Sequence, residues 1–126
     1  MKSVSVCWFE IPVSDMDRAI SFYGKVFDCK LSKQDMGDFQ MAWFPWDENK
    51  GGAGGSLVFH EKFYQTSSHA GSLIYFTSED CSIELGRVEE AGGKVQITKR
   101  LIAPGIGYMG VFLDSEGNRI ALHSNN

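Results

Sequence analysis

The sequence predicts an α+β fold in which two tandem βαβββ units form a curved, open-barrel sheet around a cleft. The chain has 126 residues, which is the length of one domain. Strand and helix patterns occur in the same order in both halves, and matching landmarks recur at one spacing: Trp8 and Ser72, like Lys30 and Lys94, lie 64 residues apart. We therefore predict a single domain over residues 1–126, with units at about 3–62 and 70–124.

The first unit begins with a β-branched and aromatic segment at residues 4–13, which is typical of a strand. Ser14 or Asp15 can cap the helix that follows. Apolar residues then recur at helical spacing, and we expect them to form one buried face: Met16, Ala19, Ile20, Tyr23 and Phe27. Three further strands are predicted at 29–35, 39–45 and 55–60.

The second unit repeats this order. A strand is predicted at 72–77, and Asp80 or a neighbour caps the next helix, which Gly92 and Gly93 end. Strands follow at about 94–99, 107–113 and 119–123, with turn residues at 114–118 between the last two.

Composition excludes several classes of function. The formal net charge of −4 argues against binding to nucleic acid or to an anionic membrane surface. No apolar run is long enough to span a membrane, and Glu10 and Pro12 interrupt the N-terminal segment before it could serve as a secretory signal. Three widely spaced cysteines exclude a fully paired disulfide framework. We therefore expect a cytoplasmic protein with reduced thiols.

Two stretches carry a family resemblance. One is WFEIPVSDMDRAISFYGKVF near the start, with Val13, Asp15, Arg18, Phe22 and Tyr23 at characteristic spacing; the other is FLDSEGNRIALHS near the end. With both, the chain resembles the vicinal oxygen chelate superfamily of glyoxalases, bleomycin-resistance proteins and extradiol dioxygenases over essentially its whole length. The resemblance implies a homodimer. In the enzymes of this group it also implies a divalent metal held in the cleft by His and Glu.

The positions that match the family's metal ligands carry other residues here. They are Trp8 in the first strand, Ser72 in its repeat, Ala121 in the last strand, and Ser56 or Val58 in the last strand of the first unit. Indole and methyl groups offer no donor, and a neutral hydroxyl is a poor one. We therefore predict that the chain uses no metal cofactor.

Two alternatives remain at this stage. Glu10, His60 and His123 have suitable donors and could form a displaced site for a divalent metal. Glu10 could also be a catalytic base, because a carboxylate between Phe9 and Ile11 in a strand is unusual. Its structural alternative is an ion pair, for instance with Arg100 or Arg119.

The cleft is expected to be lined by aromatic side chains, which make up 13% of the chain. Residues two apart on a strand share a face, so the mapped positions and the alternation from them predict six ligand-binding residues: Trp8, Glu10, Ser56, Ser72, Ala121 and His123. Tyr108 is added to this set as one of the aromatic residues near a predicted strand. The glycine-containing segment Ala103–Tyr108 is our candidate for a flap over the cleft.

The sequence thus favours a protein that binds a small, largely apolar organic molecule without the family metal. The alternative is a lyase, isomerase or dioxygenase that uses the displaced metal site or Glu10 as a base.

Overall fold

A computed structural model describes residues 2–126. The first unit contains β1 (Trp8–Pro12), α1 (Met16–Val26), β2 (Ser32–Met36), β3 (Phe39–Trp43), a short 3-10 helix (Glu48–Lys50) and β4 (Gly54–Phe59). The second contains β5 (Ile74–Thr77), α2 (Cys81–Ala91), β6 (Lys94–Ala103), β7 (Gly107–Leu113) and β8 (Arg119–Ser124). The predicted order of elements is confirmed in both halves.

Each unit forms its own four-stranded mixed sheet. The strand orders are β1-β4-β3-β2 (sheet 1) and β5-β8-β7-β6 (sheet 2). In each sheet the first and last strands of the unit pair in parallel, and the other pairs are antiparallel. The α+β class with two tandem units is therefore confirmed. No helix among the described residues is long and apolar enough to cross a membrane.

Local sequence determines where the helices begin and end. Asp15 caps α1 by accepting a hydrogen bond from the backbone N–H of Arg18 at 3.1 Å, and Asp80 caps α2 in the same way through Ser82 at 3.0 Å. Gly92 ends α2 in the left-handed conformation, with φ of 108°. The capping expectations are confirmed.

Both units share one hydrophobic core. It holds the apolar faces of the two helices and one face of each sheet, and aromatic rings join the two halves. Phe9 of β1 packs edge-on against Phe76 of β5 at 5.4 Å between ring centroids, and Phe22 of α1 lies 6.0 Å from Phe112 of β7. The opposite face of each sheet, here called its open face, has no helix on it.

A buried carboxylate fixes the second unit to the start of α1. The Glu116 side chain, in the β7–β8 turn, has no exposed surface and accepts hydrogen bonds from the backbone N–H groups of Ser14 and Asp15 at 2.9 and 2.7 Å. The Arg18 guanidinium also donates to it at 2.7 and 3.0 Å. The donors hold the pKa of Glu116 at about 2, against an ordinary 4.5, although burial opposes this shift. We call this arrangement the Glu116 clasp.

One loop expectation is wrong. The predicted flap at Ala103–Tyr108 is a tight turn, because β6 continues to Ala103 and pairs there with Gly107. The N–H of Ile106 donates to the Ala103 carbonyl at 3.1 Å, and the His123 ring donates to the Ile106 carbonyl at 2.7 Å. A paired strand leaves too few free residues for a lid.

Candidate functional site

The open face of sheet 1 carries the three tryptophans of the chain, Trp8, Trp43 and Trp46. The indoles of Trp8 and Trp43 meet edge to face at 6.0 Å between centroids. A Cβ atom on Gly54 would lie 3.3 Å from Trp8 and 3.5 Å from Trp46, so both rings lie against the Gly54 backbone. We call Trp8, Trp43 and Trp46 with the adjoining Glu10 and Ser56 the tryptophan face.

Strand register places Glu10 and Ser56 on this face. Glu10 of β1 pairs with Ser56 of β4, which pairs in turn with Trp43 of β3, so the three side chains point the same way. The predicted proximity of Glu10 to Trp8 is present, because the Trp8 indole N–H donates to the Glu10 carboxylate at 3.4 Å.

The other oxygen of Glu10 accepts a short hydrogen bond from the Tyr64 hydroxyl. This bond raises the pKa of Tyr64. No Lys or Arg nitrogen within residues 2–126 lies within 4.0 Å of the Glu10 carboxylate. The alternative of an ion pair between Glu10 and Arg100 or Arg119 is therefore wrong, and the donors to Glu10 are uncharged.

Ser56 is the polar group at the base of the tryptophan face. It is fully buried, and its Oγ has no hydrogen-bond partner. A buried hydroxyl without a partner costs about 1–3 kcal/mol, so a bound polar group that reached it would recover that energy.

A cavity of about 540 Å³ lies in the seam between the two units, where β1 and β5 face each other. We call it the seam cavity. Aromatic rings and one thiol dominate its wall: Phe9, Phe27, Phe44, Tyr75, Phe76 and Cys29. Gly51, Gly52 and Ala53 of the loop before β4 border it, and Gly54 joins it to the tryptophan face. Its size and apolar lining suit a small organic molecule.

The surroundings of the Cys29 thiol in this cavity make it unreactive. Cys29 is half-buried, and burial, together with the neighbouring Asp28 carboxylate, raises the pKa of its thiol. A raised pKa keeps the thiol protonated at neutral pH, where it contributes apolar surface rather than a nucleophile.

A second, smaller cavity of about 290 Å³ brings together two of the predicted ligand-binding residues, Glu10 and Ser72. Arg119 of β8 and Asn118 line it as well. Asn118 belongs to the contacts that join the units, since its side-chain amide donates to the Pro12 carbonyl at 2.6 Å.

Three predicted site residues lie elsewhere. Tyr108 is on the core side of β7, where its ring lies 4.6 Å from Lys99 Nζ, so its assignment to the cleft is wrong.

His123 lies far from Glu10 along β8. Arg119 is the β8 residue that lines a cavity together with Glu10, and His123 follows it by four residues, or about 13 Å along the strand. The His123 ring is hydrogen-bonded to the Ile106 carbonyl. The predicted contact between Glu10 and His123 is therefore wrong.

Ala121 is on the open face of sheet 2, as its alternation predicts, but it is fully buried there. Met109 and Val111 cluster with it, and Leu73 and Ile97 pack against them. Its methyl group is covered by the protein's own side chains.

The displaced metal set is wrong for the single chain. The His60 ring packs between Phe39 and Phe63, at 4.5 and 4.7 Å between centroids, and its Nδ1 accepts a hydrogen bond from the backbone N–H of Lys62 at 3.1 Å. Glu10 and His123 have the separate contacts given above. Over residues 2–126, no three His, Cys, Asp or Glu side chains are grouped closely enough to hold a metal ion.

The residues at the family's ligand positions do not fit a divalent metal either. Trp8 and Ala121 have no donor atom, and the hydroxyls of Ser56 and Ser72 are neutral. Protein metal sites use three or four His, Cys or carboxylate ligands.

Sequence reasoning missed Tyr64, Phe27 and the loop at 51–53. Tyr64 lies 54 residues from Glu10 in the chain, in a segment with no strand or helix pattern. The four glycines around Ala53 were the one available signal, because two of them, Gly51 and Gly52, adopt positive φ and turn the chain beside the cavity.

Comparison with known proteins agrees with this architecture. The family model of the Glyoxalase/Bleomycin resistance protein/Dioxygenase superfamily matches residues 5–122. No curated protein matches the chain.

Solved structures share the fold at low identity. A glyoxylase/bleomycin resistance protein/dioxygenase domain from Frankia sp. has a TM-score of 0.74 at 15% identity, over 99% of this chain and 100% of that one. An antibiotic binding protein from a Streptomyces species has a TM-score of 0.64 at 24% identity, over 100% and 99%. Glyoxalase I from Zea mays has a TM-score of 0.69 at 21% identity over 94% of this chain, which spans 45% of that enzyme.

Proposed function

The chain belongs to the Glyoxalase/Bleomycin resistance protein/Dioxygenase superfamily, and on that premise we propose that it binds a small, largely apolar organic molecule in the seam cavity. Binding in this proposal does not depend on the metal of the family's enzymes. The protein would act by sequestering or sensing its ligand.

The cavity itself carries the proposal. Its volume of about 540 Å³ falls within the range typical of sites for small organic ligands. Four phenylalanine rings wall one side of it and form one cluster, in which Phe76 contacts the other three and the contacting pairs have centroid separations from 4.7 to 5.7 Å: Phe9, Phe27, Phe44 and Phe76. Rigid aromatic walls give a ligand contact area at little cost in side-chain entropy.

The glyoxalase and antibiotic-binding neighbours show that this scaffold serves both enzymes and binding proteins. The surroundings of Glu10 favour the binding protein. Both carboxylate oxygens already accept hydrogen bonds from the chain's own Trp8 and Tyr64, so the carboxylate is held in place by these partners rather than left open to the proton of a substrate.

Titration with N-phenyl-1-naphthylamine, an uncharged dye that fluoresces in apolar surroundings, tests the proposal. We expect saturable binding to the wild type. Ala53→Phe places a ring at the border of the cavity and should weaken binding at least tenfold. Ala70→Phe makes the same change in an exposed loop that lines other cavities, and should leave binding unchanged.

Non-saturable dye fluorescence in the wild type would contradict the proposal. Equal weakening by both variants, with each still folded, would contradict it as well, because the dye would then not bind specifically in the seam cavity. Circular dichroism of each variant distinguishes unfolding from blocking.

A further inference from the structure

We infer that the molecule bound at the seam carries a positively charged group, such as a substituted ammonium, which binds on the tryptophan face beside Glu10. The inference rests on the proposed function, and it adds the chemical class of the ligand.

The first observation is the exposure of the three indoles. Trp8, Trp43 and Trp46 are 40%, 38% and 56% exposed, although tryptophan is among the most costly side chains to leave in water. Each indole presents a negatively polarised π face, and clustered aromatic faces are the usual binding site for substituted ammonium groups.

The second observation is the uncompensated charge. Glu10 lies against Trp8, and the donors to its carboxylate are a hydroxyl and an indole N–H, neither of which carries charge. Arg119 lines a cavity with Glu10 but makes no ion pair with it within 4.0 Å. A cationic ligand would supply the missing partner, whereas an anionic one would meet repulsion.

The third observation is Ser56. Its buried hydroxyl lacks a partner and lies between Glu10 and Trp43 in the strand register. A polar group next to the charged nitrogen of a ligand could bond to it, and no other group in the described chain does so.

Gly54 links this face to the seam cavity. It lines the cavity and also lies beneath Trp8 and Trp46, so an apolar body in the cavity and a charged group on the tryptophan face would be adjacent. An amphipathic organic cation fits both parts of the surface.

Two probes of the same shape isolate the charge. Phenyltrimethylammonium and tert-butylbenzene differ only in a nitrogen for a carbon and the charge that it brings. Because all three tryptophans of the chain lie on this face, intrinsic fluorescence reports directly on its occupancy. We expect the cation to bind the wild type about tenfold more tightly than its neutral counterpart.

Glu10→Gln should reduce this preference to threefold or less while leaving N-phenyl-1-naphthylamine binding unchanged. Asp35→Asn is the matched control, because it removes the same charge from an exposed β2 position on the opposite face of sheet 1, and the preference should persist. Trp46→Leu should weaken the cation and spare the dye.

Equal affinity for the two probes would overturn the inference, as would a preference that survives Glu10→Gln. If the dye binds normally in those cases, the proposed function stands and only the cationic ligand class is wrong. If the dye also fails to bind, the proposed function is wrong as well.

Discussion

Replacing Glu116 with Gln should weaken the contact between the two units and lower the free energy of unfolding. The carboxylate is fully buried and accepts bonds from Ser14, Asp15 and Arg18. Glutamine has the same shape but only one accepting oxygen. Its side-chain NH2 group would therefore lie against an N–H donor that the second carboxylate oxygen of Glu116 now accepts from. The variant loses the attraction to Arg18 as well.

The magnitude follows from the pKa. Lowering the pKa of Glu116 from 4.5 to about 2 corresponds to about 3 kcal/mol at ~1.4 kcal/mol per pH unit. The Arg18 side chain is 53% exposed, so solvent screening reduces the expected loss to about 2 kcal/mol. For a chain of this length, that is a decrease in Tm of about 8 °C.

The pH dependence has a definite sign. A carboxylate with a lowered folded-state pKa stabilises the protein above its unfolded pKa, so this contribution is complete above pH 4.5 and is lost as the pH falls towards 2. Burial raises the pKa of Asp114, which opposes the trend in the wild type and in the variant alike. The difference between the two proteins therefore isolates Glu116.

Urea unfolding at pH 7, 5, 4 and 3.5 measures this difference. Asp17→Asn is the control, because it removes a carboxylate from the first turn of the same helix, where it makes an exposed ion pair with Lys33. The control should lose at most about 0.5 kcal/mol. If Glu116→Gln costs no more than Asp17→Asn, or if its cost does not shrink on acidification, the clasp does not hold the units together.

Three further predictions concern the core, the assembly and the metal. Tyr23→Phe removes the hydroxyl that donates to buried Asp114 at 2.6 Å and should cost about 1–3 kcal/mol in urea unfolding; a neutral result would mean that water replaces it. Light scattering at micromolar concentration should give a homodimer of twice 14.0 kDa, since the open faces expose tryptophan and tyrosine surface; a constant monomer mass would contradict this. Elemental analysis of protein purified without chelator should find no stoichiometric zinc, nickel or manganese, because the matching positions lack donors; bound metal, or a rise in Tm with metal that His123→Ala abolishes, would contradict it.

The fold was predictable because its signals are local. The α1 cap at Asp15 and the apolar face of that helix depend on residues close together in the sequence. The duplication is visible because matching residues recur at a constant spacing of 64. Strand alternation also placed Trp8, Glu10 and Ser56 on one face correctly, because the period of two holds as long as a strand is regular.

The site was predictable only in part, because its missing pieces depend on long-range contacts. Tyr108 was assigned to the wrong face because it was grouped with the aromatic residues expected to line the cleft, whereas alternation along β7 places it on the core side with Phe112. His60 turns away because the chain leaves β4 there and packs the ring against Phe39 and Phe63. Neither the pairing of strands nor the packing of a loop is encoded by spacing alone.

Amide chemical-shift mapping with N-phenyl-1-naphthylamine tests the central claim, that the ligand site is the seam cavity, most directly. The account predicts saturable shifts at residues that border the cavity, in the loop at Gly52–Gly54 and in β5 at Tyr75 and Thr77. Shifts confined to the open face of sheet 2 around Met109 and Val111, or no saturable shifts at all, would contradict it.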